Sequence, residues 1–234
     1  MLRGFYTSVS GIVAGMAHAN VIADNLANLN TTGFRASRTG QGAFELEVLL
    51  AGGQVRDAMA LGTYARGPVV DGSTGSIEIT GRPTDLAIEG DGLFVVGTPQ
   101  GIAYTRGGDF VIDATGLLTT QQGHLVLDTD GRPIRVDGGP VIGPDGTVAG
   151  TGQRLALVAW PADGVLRLGG NLLAIQGDVS PASGRVRQGA LESSNVSVIG
   201  ALTSLSKSSM AFSARSLAVH DASLDHALAI GKVK

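Results

Sequence analysis

Apolar side chains open the chain in a strict rhythm. Leu2, Phe5, Val9, Ile12, Met16, Ala19, Ala23 and Leu26 are separated by alternating gaps of three and four residues. That spacing is an a/d seam held for nearly four heptads, the pattern of a helix that pairs with other helices along a strip. Gly4, Gly11 and Gly15 lie in the same segment, and each weakens a helix by about 1 kcal/mol relative to alanine. The helix is therefore weak alone, while its small residues allow a neighbour to approach closely.

The far end repeats the rhythm more faintly. Val198, Leu202, Leu205, Ser209, Phe212, Ser216, Val219, Ser223, His226 and Ile230 keep the same spacing, with serine at three of the positions. A helix with so small a seam is also unsuited to standing alone, so both ends should order on association.

The pattern changes between the two ends. Residues 36–80 are glycine-rich and weakly patterned, which predicts an extended connector with one or two edge strands such as 76–80. From about Asp85 to Val186 short β runs follow one another, among them "LFVV" (93–96), "IAYTR" (102–106), "HLVLD" (124–128) and "RLALVAW" (154–160). Asp-Gly and Gly-Gly turns separate them at hairpin spacing, which predicts antiparallel strands in a sandwich or distorted barrel. The fold class is thus α+β: two amphipathic terminal helices forming a coiled-coil stalk, and an antiparallel β-rich middle. The expected domains are 1–35 (assembly helix and its exit turn), 36–80 (connector), 81–190 (β body) and 191–234 (second assembly helix).

The first helix stops at "NLANLNTTGFR", residues 25–35. Asn28 and Asn30 can take the left-handed conformation that ends a helix, and Gly33 suits a positive φ in the turn that follows. Thr31 and Thr32 compete for backbone hydrogen bonds, and Phe34 anchors the exit as an aromatic plug.

Composition narrows the function. A net charge of −3 gives no electrostatic case for nucleic acid or an anionic membrane. There is no cysteine, so disulfides, thiolate metal sites and thiol catalysis are all excluded. No run approaches the roughly 18 apolar residues of a membrane helix. Ala17-His18-Ala19 matches a signal-peptidase pattern, but Thr7, Ser8, Ser10 and Gly11 interrupt the apolar region and the periodicity continues to Leu26, so no cleaved signal is expected.

Candidate chemistry is sparse. "EGDGLF" (89–94) has two glycines around Asp91 but lacks the lysine of a phosphate loop and enters a strand. "DTDG" (128–131) opens like a calcium loop, yet carries no glutamate at the twelfth position. His220 and His226 are six apart, about 240° round a helix, and do not converge on a metal. No catalytic, cofactor or metal residues are expected.

Four stretches together resemble bacterial flagellar axial proteins, the family of rod and hook. "NLANLNTTGFR" is similar to the family's N-terminal signature at Asn25, Leu26, Ala27, Asn28, Thr31, Thr32, Gly33, Phe34 and Arg35. "TGRPTDLAIEGDGLFVV" (80–96), with Gly90, Asp91 and Gly92, is similar to its entry into the β domain. "YTRGGDFVIDATGLLTTQQGHLVL" (104–127) looks like the hairpins that follow. "GALESSNVSVI" (189–199), with Asn195 and Val196, looks like the linker into the C-terminal helix. The match departs from the family at Ser197 and Val198 and around Phe212, where only the aromatic of a basic–x–aromatic–acidic run is kept.

The resemblance implies a structural, non-enzymatic role in motility without cofactors. Length and the lack of an inserted outer domain point to rod rather than hook, in the proximal part, with a distal-rod protein as the alternative. It also implies export unfolded through the flagellar type III apparatus, no cleaved signal, and helical assembly in the periplasmic basal body with copies of itself and other rod proteins. A periplasmic glycan-binding or hydrolase domain is the alternative from another class.

Overall fold

The computed structural model describes residues 2–49, 55–136, 138–161 and 164–231, with side chains described over 9–40, 66–217 (the same gaps excepted) and 219–220. The chain divides into two compact units that interleave in sequence. One holds 1–26, 37–69 and 198–234; the other holds 27–36 and 70–197.

In chain order the elements are α1 (Leu2–Ala27), β1 (Ser37–Arg38), β2 (Gln41–Leu49), β3 (Val55–Ala65), β4 (Val69–Val70), β5 (Ile77–Ile79), β6 (Leu86–Glu89), β7 (Leu93–Thr98) and β8 (Gly101–Thr105). They continue as β9 (Val111–Ile112), β10 (Leu118–Thr119), β11 (Leu125–Val126), β12 (Leu157–Val158), β13 (Val165–Gly169), β14 (Leu172–Ile175), β15 (Arg185–Gln188), β16 (Ala190–Glu192) and α2 (Val198–Gly231). The class is α+β: two helices and a large antiparallel part.

The first unit contains the helices and the hairpin β2–β3, which pair antiparallel from Gln41↔Ala65 to Leu49↔Val55 with two register shifts. Residues 41–49 and 55–65 thus form a paired hairpin and not a weakly patterned connector. Its signal is visible in hindsight, because "AFELEV" (43–48) alternates apolar and polar residues with a strand's period of two. At 26 and 34 residues, the helices are about 39 and 51 Å long.

The second unit is built on one eight-stranded antiparallel sheet in the order β13-β14-β8-β7-β11-β10-β9, with β12 also on β7. Two further ladders, β15–β6 and β16–β5, complete it. β7 is covered on both faces. Phe94 and Val96 face the main core with Leu86, Ile88, Phe110, Leu118 and Ile134, while Leu93 joins Val70 and Leu173 in a second cluster. Double coverage explains why "LFVV" is uniformly apolar rather than alternating. Phe94 and Phe110 meet edge to face at 5.1 Å, a preferred geometry for aromatic pairs.

Aspartates build the turns. The Asp113 carboxylate accepts the Thr115 and Leu117 N–H bonds, and Asp128 accepts those of Asp130 and Arg132. In each turn the glycine three residues on, Gly116 or Gly131, takes a positive φ. "DTDG" is therefore a hairpin turn whose carboxylate is occupied by backbone donors.

The exit from α1 differs from expectation in one respect. Gly33 has φ +65°, but no described non-glycine residue has a positive φ, so Asn28 and Asn30 do not end the helix in the left-handed conformation. Instead the Thr31 N–H donates to the Asn28 carbonyl and the Phe34 N–H to the Thr31 carbonyl, two consecutive tight turns that need no left-handed asparagine.

Candidate functional site

The signature residues converge on a buried knot in the second unit. Arg35 pairs with Glu192 at 2.8 Å, and Arg106 pairs with the other oxygen of the same carboxylate at 2.5 Å. All three side chains are at most 2% exposed. Burying charge is tolerated only when it is paired and hydrogen-bonded; here both guanidiniums also reach backbone carbonyls, while the buried Arg35 Nε–H is left without a hydrogen-bond partner. Arg106 donates to the carbonyls of Ile88, Gly90 and Gly92. Arg35 donates to the Ser73 carbonyl. Glu192 Oε1 also accepts the Gly75 N–H at 2.8 Å. Both of its oxygens are thus engaged, which makes this carboxylate a tie rather than an acid or base. Burial pushes the Arg35 guanidinium below its ordinary value, against the attraction of Glu192 and with added repulsion from Arg106.

The surrounding signature residues serve the same knot. The Gly33 N–H donates to the Glu192 carbonyl at 2.7 Å, and a Cβ at Gly33 would overlap the backbone of Arg106 and Gly107. Phe34 is fully buried, with the Arg167 guanidinium 4.2 Å above its ring, a cation–π distance. Asn171 donates to the Thr32 carbonyl. Asn195 accepts the Ala36 N–H at 2.6 Å and donates to Ser73. The turn Gly90-Asp91-Gly92 supplies two of the carbonyls that hold Arg106, and Asp91 accepts the Trp160 N–H. A cavity of about 210 Å³ opens beside the pair, walled by Arg35, Arg106, Asp91, Thr74 and Trp160.

In the first unit Asn25 clasps the backbone of Ser37 in both directions at 2.8 Å. Asn28 accepts the Thr31 hydroxyl. Ala27 is exposed, while Leu26 and Val196 are half-buried.

The helix seam is only partly covered. Side chains of Leu2 and Phe5 lie outside the described residues. Val9, Ile12, Ala19 and Leu26 are half-buried, Ala23 is exposed and Met16 is 54% exposed. The most buried positions on α1 are Gly11, Ala14 and Ile22. From Gly11 and Ile22 this stripe runs one residue behind the seam positions Ile12 and Ala23, about 100° round the helix. On α2, Leu205 and Val219 are half-buried, but Val198, Leu202 and Phe212 are exposed at 42%, 49% and 43%. Arg215 of α2 donates to the Gly11 carbonyl at 2.6 Å. Side chains at Gly11 or Gly15 would crowd its guanidinium. The small residues of α1 thus admit an arginine of the same chain.

Arg106, Arg167, Glu192 and Arg215 were not singled out by sequence. Arg106 and Glu192 lie inside the stretches that carry the family resemblance, yet nothing local marks an ion pair between residues 86 apart. Among the described residues no group of three or more histidine, cysteine or acidic side chains could hold a metal. No described helix is long and apolar enough to cross a membrane.

Comparison with known proteins completes the picture. Residues 87–150 match the family model for the flagellar hook protein FlgE/F/G D1 domain, and residues 5–35 match that for flagella basal body rod proteins. The chain is 33% identical to the flagellar basal-body rod protein FlgF of Rhizobium meliloti, over 97% of each chain. It is also 33% identical to FlgF of Escherichia coli over 91% of this chain and 90% of that one. FlgG of Bacillus subtilis matches at 33% over 88% and 89%. The chain belongs to the flagellar basal-body rod protein family, as a structural, non-enzymatic member of the FlgF type. Membership leaves no role for the glycan-binding or hydrolase alternative.

Proposed function

We propose that this structural rod subunit assembles helically by laying the uncovered apolar strips of α1 and α2 against copies of itself and other rod proteins. The observation that carries the reading is the exposure of Met16 and Val13 on α1 and of Leu202 and Phe212 on α2. Large apolar side chains clustered on an unfilled helix face mark an interaction surface. In this reading the two helices form a coiled-coil stalk in the assembled state, the seam of Leu2 to Leu26 packs beside that of Val198 to Val219, and the β body stands outside it. The stalk transmits motor torque to the hook from the proximal rod, a position supported by the end-to-end match to FlgF relatives.

Delivery follows from the same reading. The chain leaves through the flagellar type III export apparatus and keeps its N-terminus, because α1 runs unbroken through the Ala17-His18-Ala19 pattern and cutting there would remove most of the seam. In this reading α1 and α2 serve assembly, while 27–36 and 70–197 make up the body and 37–69 groups with the helices.

The test is a paired substitution, Met16→Lys with Leu202→Lys, followed by sedimentation of the purified chain. Circular dichroism should be unchanged while higher-order assembly disappears. Assembly at the wild-type concentration would overturn the reading.

A further inference from the structure

The knot places one carboxylate from late in the chain against two guanidiniums from earlier in it. Arg35 and Arg106 are both buried, and Glu192 is ion-paired with each. The segment that carries Glu192 also supplies missing strands. β6 finds its only sheet partner among the described elements in β15, and β5 in β16. β6 carries Leu86 and Ile88, both fully buried in the main core, and Val186 of β15 enters that core as well. Gln188 ties the Pro83 and Pro140 carbonyls and accepts the Ile142 N–H. The Gly189 N–H donates to the Asp85 carbonyl, and the Ser193 N–H to that of Ser76.

Before residues 185–195 are in place, a core strand lacks its partner and two cations would be buried without their common anion. An uncompensated buried charge is among the costliest single defects a fold can carry.

We propose that residues 185–195 act as a completion latch, in which Glu192 makes closure of the whole β body conditional on the last strand pair of the chain. A chain that appears N-terminus first then keeps its body open until the segment immediately before α2 has emerged. Body closure and release of the second helix become one event. The inference stands on the geometry of the second unit and does not depend on the assembly reading.

The test uses the full chain, unfolded in denaturant and refolded by dilution. Trp160 is the single tryptophan and borders the cavity beside Arg35 and Arg106, so its fluorescence follows closure; pulsed hydrogen exchange follows individual strands. In the wild type, amides of β7, β8 and β11 should gain full protection in the same step as those of β15 and β16. Protection of the former in an earlier, separate step would overturn the latch. Glu192→Gln should slow refolding by roughly tenfold, from partial formation of the contact in the transition state. Refolding at the wild-type rate with a fully protected body would also overturn it.

A double-mutant comparison separates the charge argument from simple damage. Arg35→Met leaves a one-to-one pair of Arg106 with Glu192. Adding Glu192→Gln to that background should therefore cost less, in fold-change of stability, than adding it to the wild type. Equal costs in both backgrounds would show that the two groups are not coupled and would remove the latch.

Discussion

Arg35 and Glu192 lie 2.8 Å apart with their side chains 2% and 1% exposed, although 156 positions separate them in the sequence. The pair joins the chain just after α1 to the chain just before α2. Through it the signature that looks like a helix stop becomes part of the β unit's interior.

That relationship depends on the shape of arginine. Its planar fork serves the Ser73 carbonyl and Glu192 together, whereas lysine offers one point charge. Arg35→Lys should lower unfolding free energy by about 2–3 kcal/mol, read from urea denaturation followed at Trp160. A loss below about 0.5 kcal/mol would mean that the fork is not needed.

Gly33 combines a positive φ with a close approach, so any side chain there faces strain and overlap at once. Gly33→Ala should cost about 3 kcal/mol or more. Gly123 has φ +82° but nothing within 4 Å of a built Cβ, so Gly123→Ala should cost only about 1–2 kcal/mol. Thermal melts of the two variants give the comparison, and equal losses would contradict the overlap at Gly33.

Stability should depend on pH through the turn aspartates. Burial raises the Asp128 carboxyl, but the N–H groups of Arg132 and Asp130 and the Gln153 side chain outweigh it, and the net direction is downward from 3.8. Asp113 is lowered by the Leu117 N–H and the Thr115 hydroxyl, and Asp145 by Thr147. A depressed carboxylate contributes stability above its unfolded value, and that stability disappears as pH falls through the folded value. Asp109 runs the other way. Burial raises it, so its contribution is complete below 3.8 and is lost as pH rises through its folded value. Asp128→Asn should therefore be less stable than wild type at pH 7, with the gap closing below pH 3.8. Denaturation midpoints of both proteins across that range check it; a gap independent of pH would show that the charge is not what the turn uses.

The uncovered helices predict a division in exchange rates. In dilute monomer, amides of β7 and β8 should exchange slowly, and those of α2 over 206–217, where most side chains are exposed, should exchange fast. Assembly should slow α2 without altering the strands. Hydrogen exchange read by mass spectrometry distinguishes this from a monomer already protected along α2, which would count against association through that helix.

Much of the architecture was legible in the order of residues. The terminal helices follow from three-four spacing, and the strands β7, β8, β11 and β12 overlap the runs that read as β, because period and turn residues are local signals. The strands β6, β15 and β16 were missed. Each is short and takes its place from a partner about a hundred residues away, as in Leu86↔Gln188 and Ala190↔Ile79. The positive φ at Gly33 could be read from glycine in a turn. The turn geometry at Asn28 could not, since asparagine permits the left-handed form without requiring it.

The sequence by itself determined the two terminal helices and the run of short strands between them from β7 to β14. Tertiary structure decided that Phe34 and Arg35 are buried rather than available to a neighbour. It also decided that α1 hides a stripe about 100° from its apparent seam, and that Arg106 and Glu192 meet. The physical reason is range. Hydrogen-bond periodicity and turn preference act over a few residues, whereas burial of a charge depends on which distant groups can neutralise it, and only the folded chain brings those groups within reach.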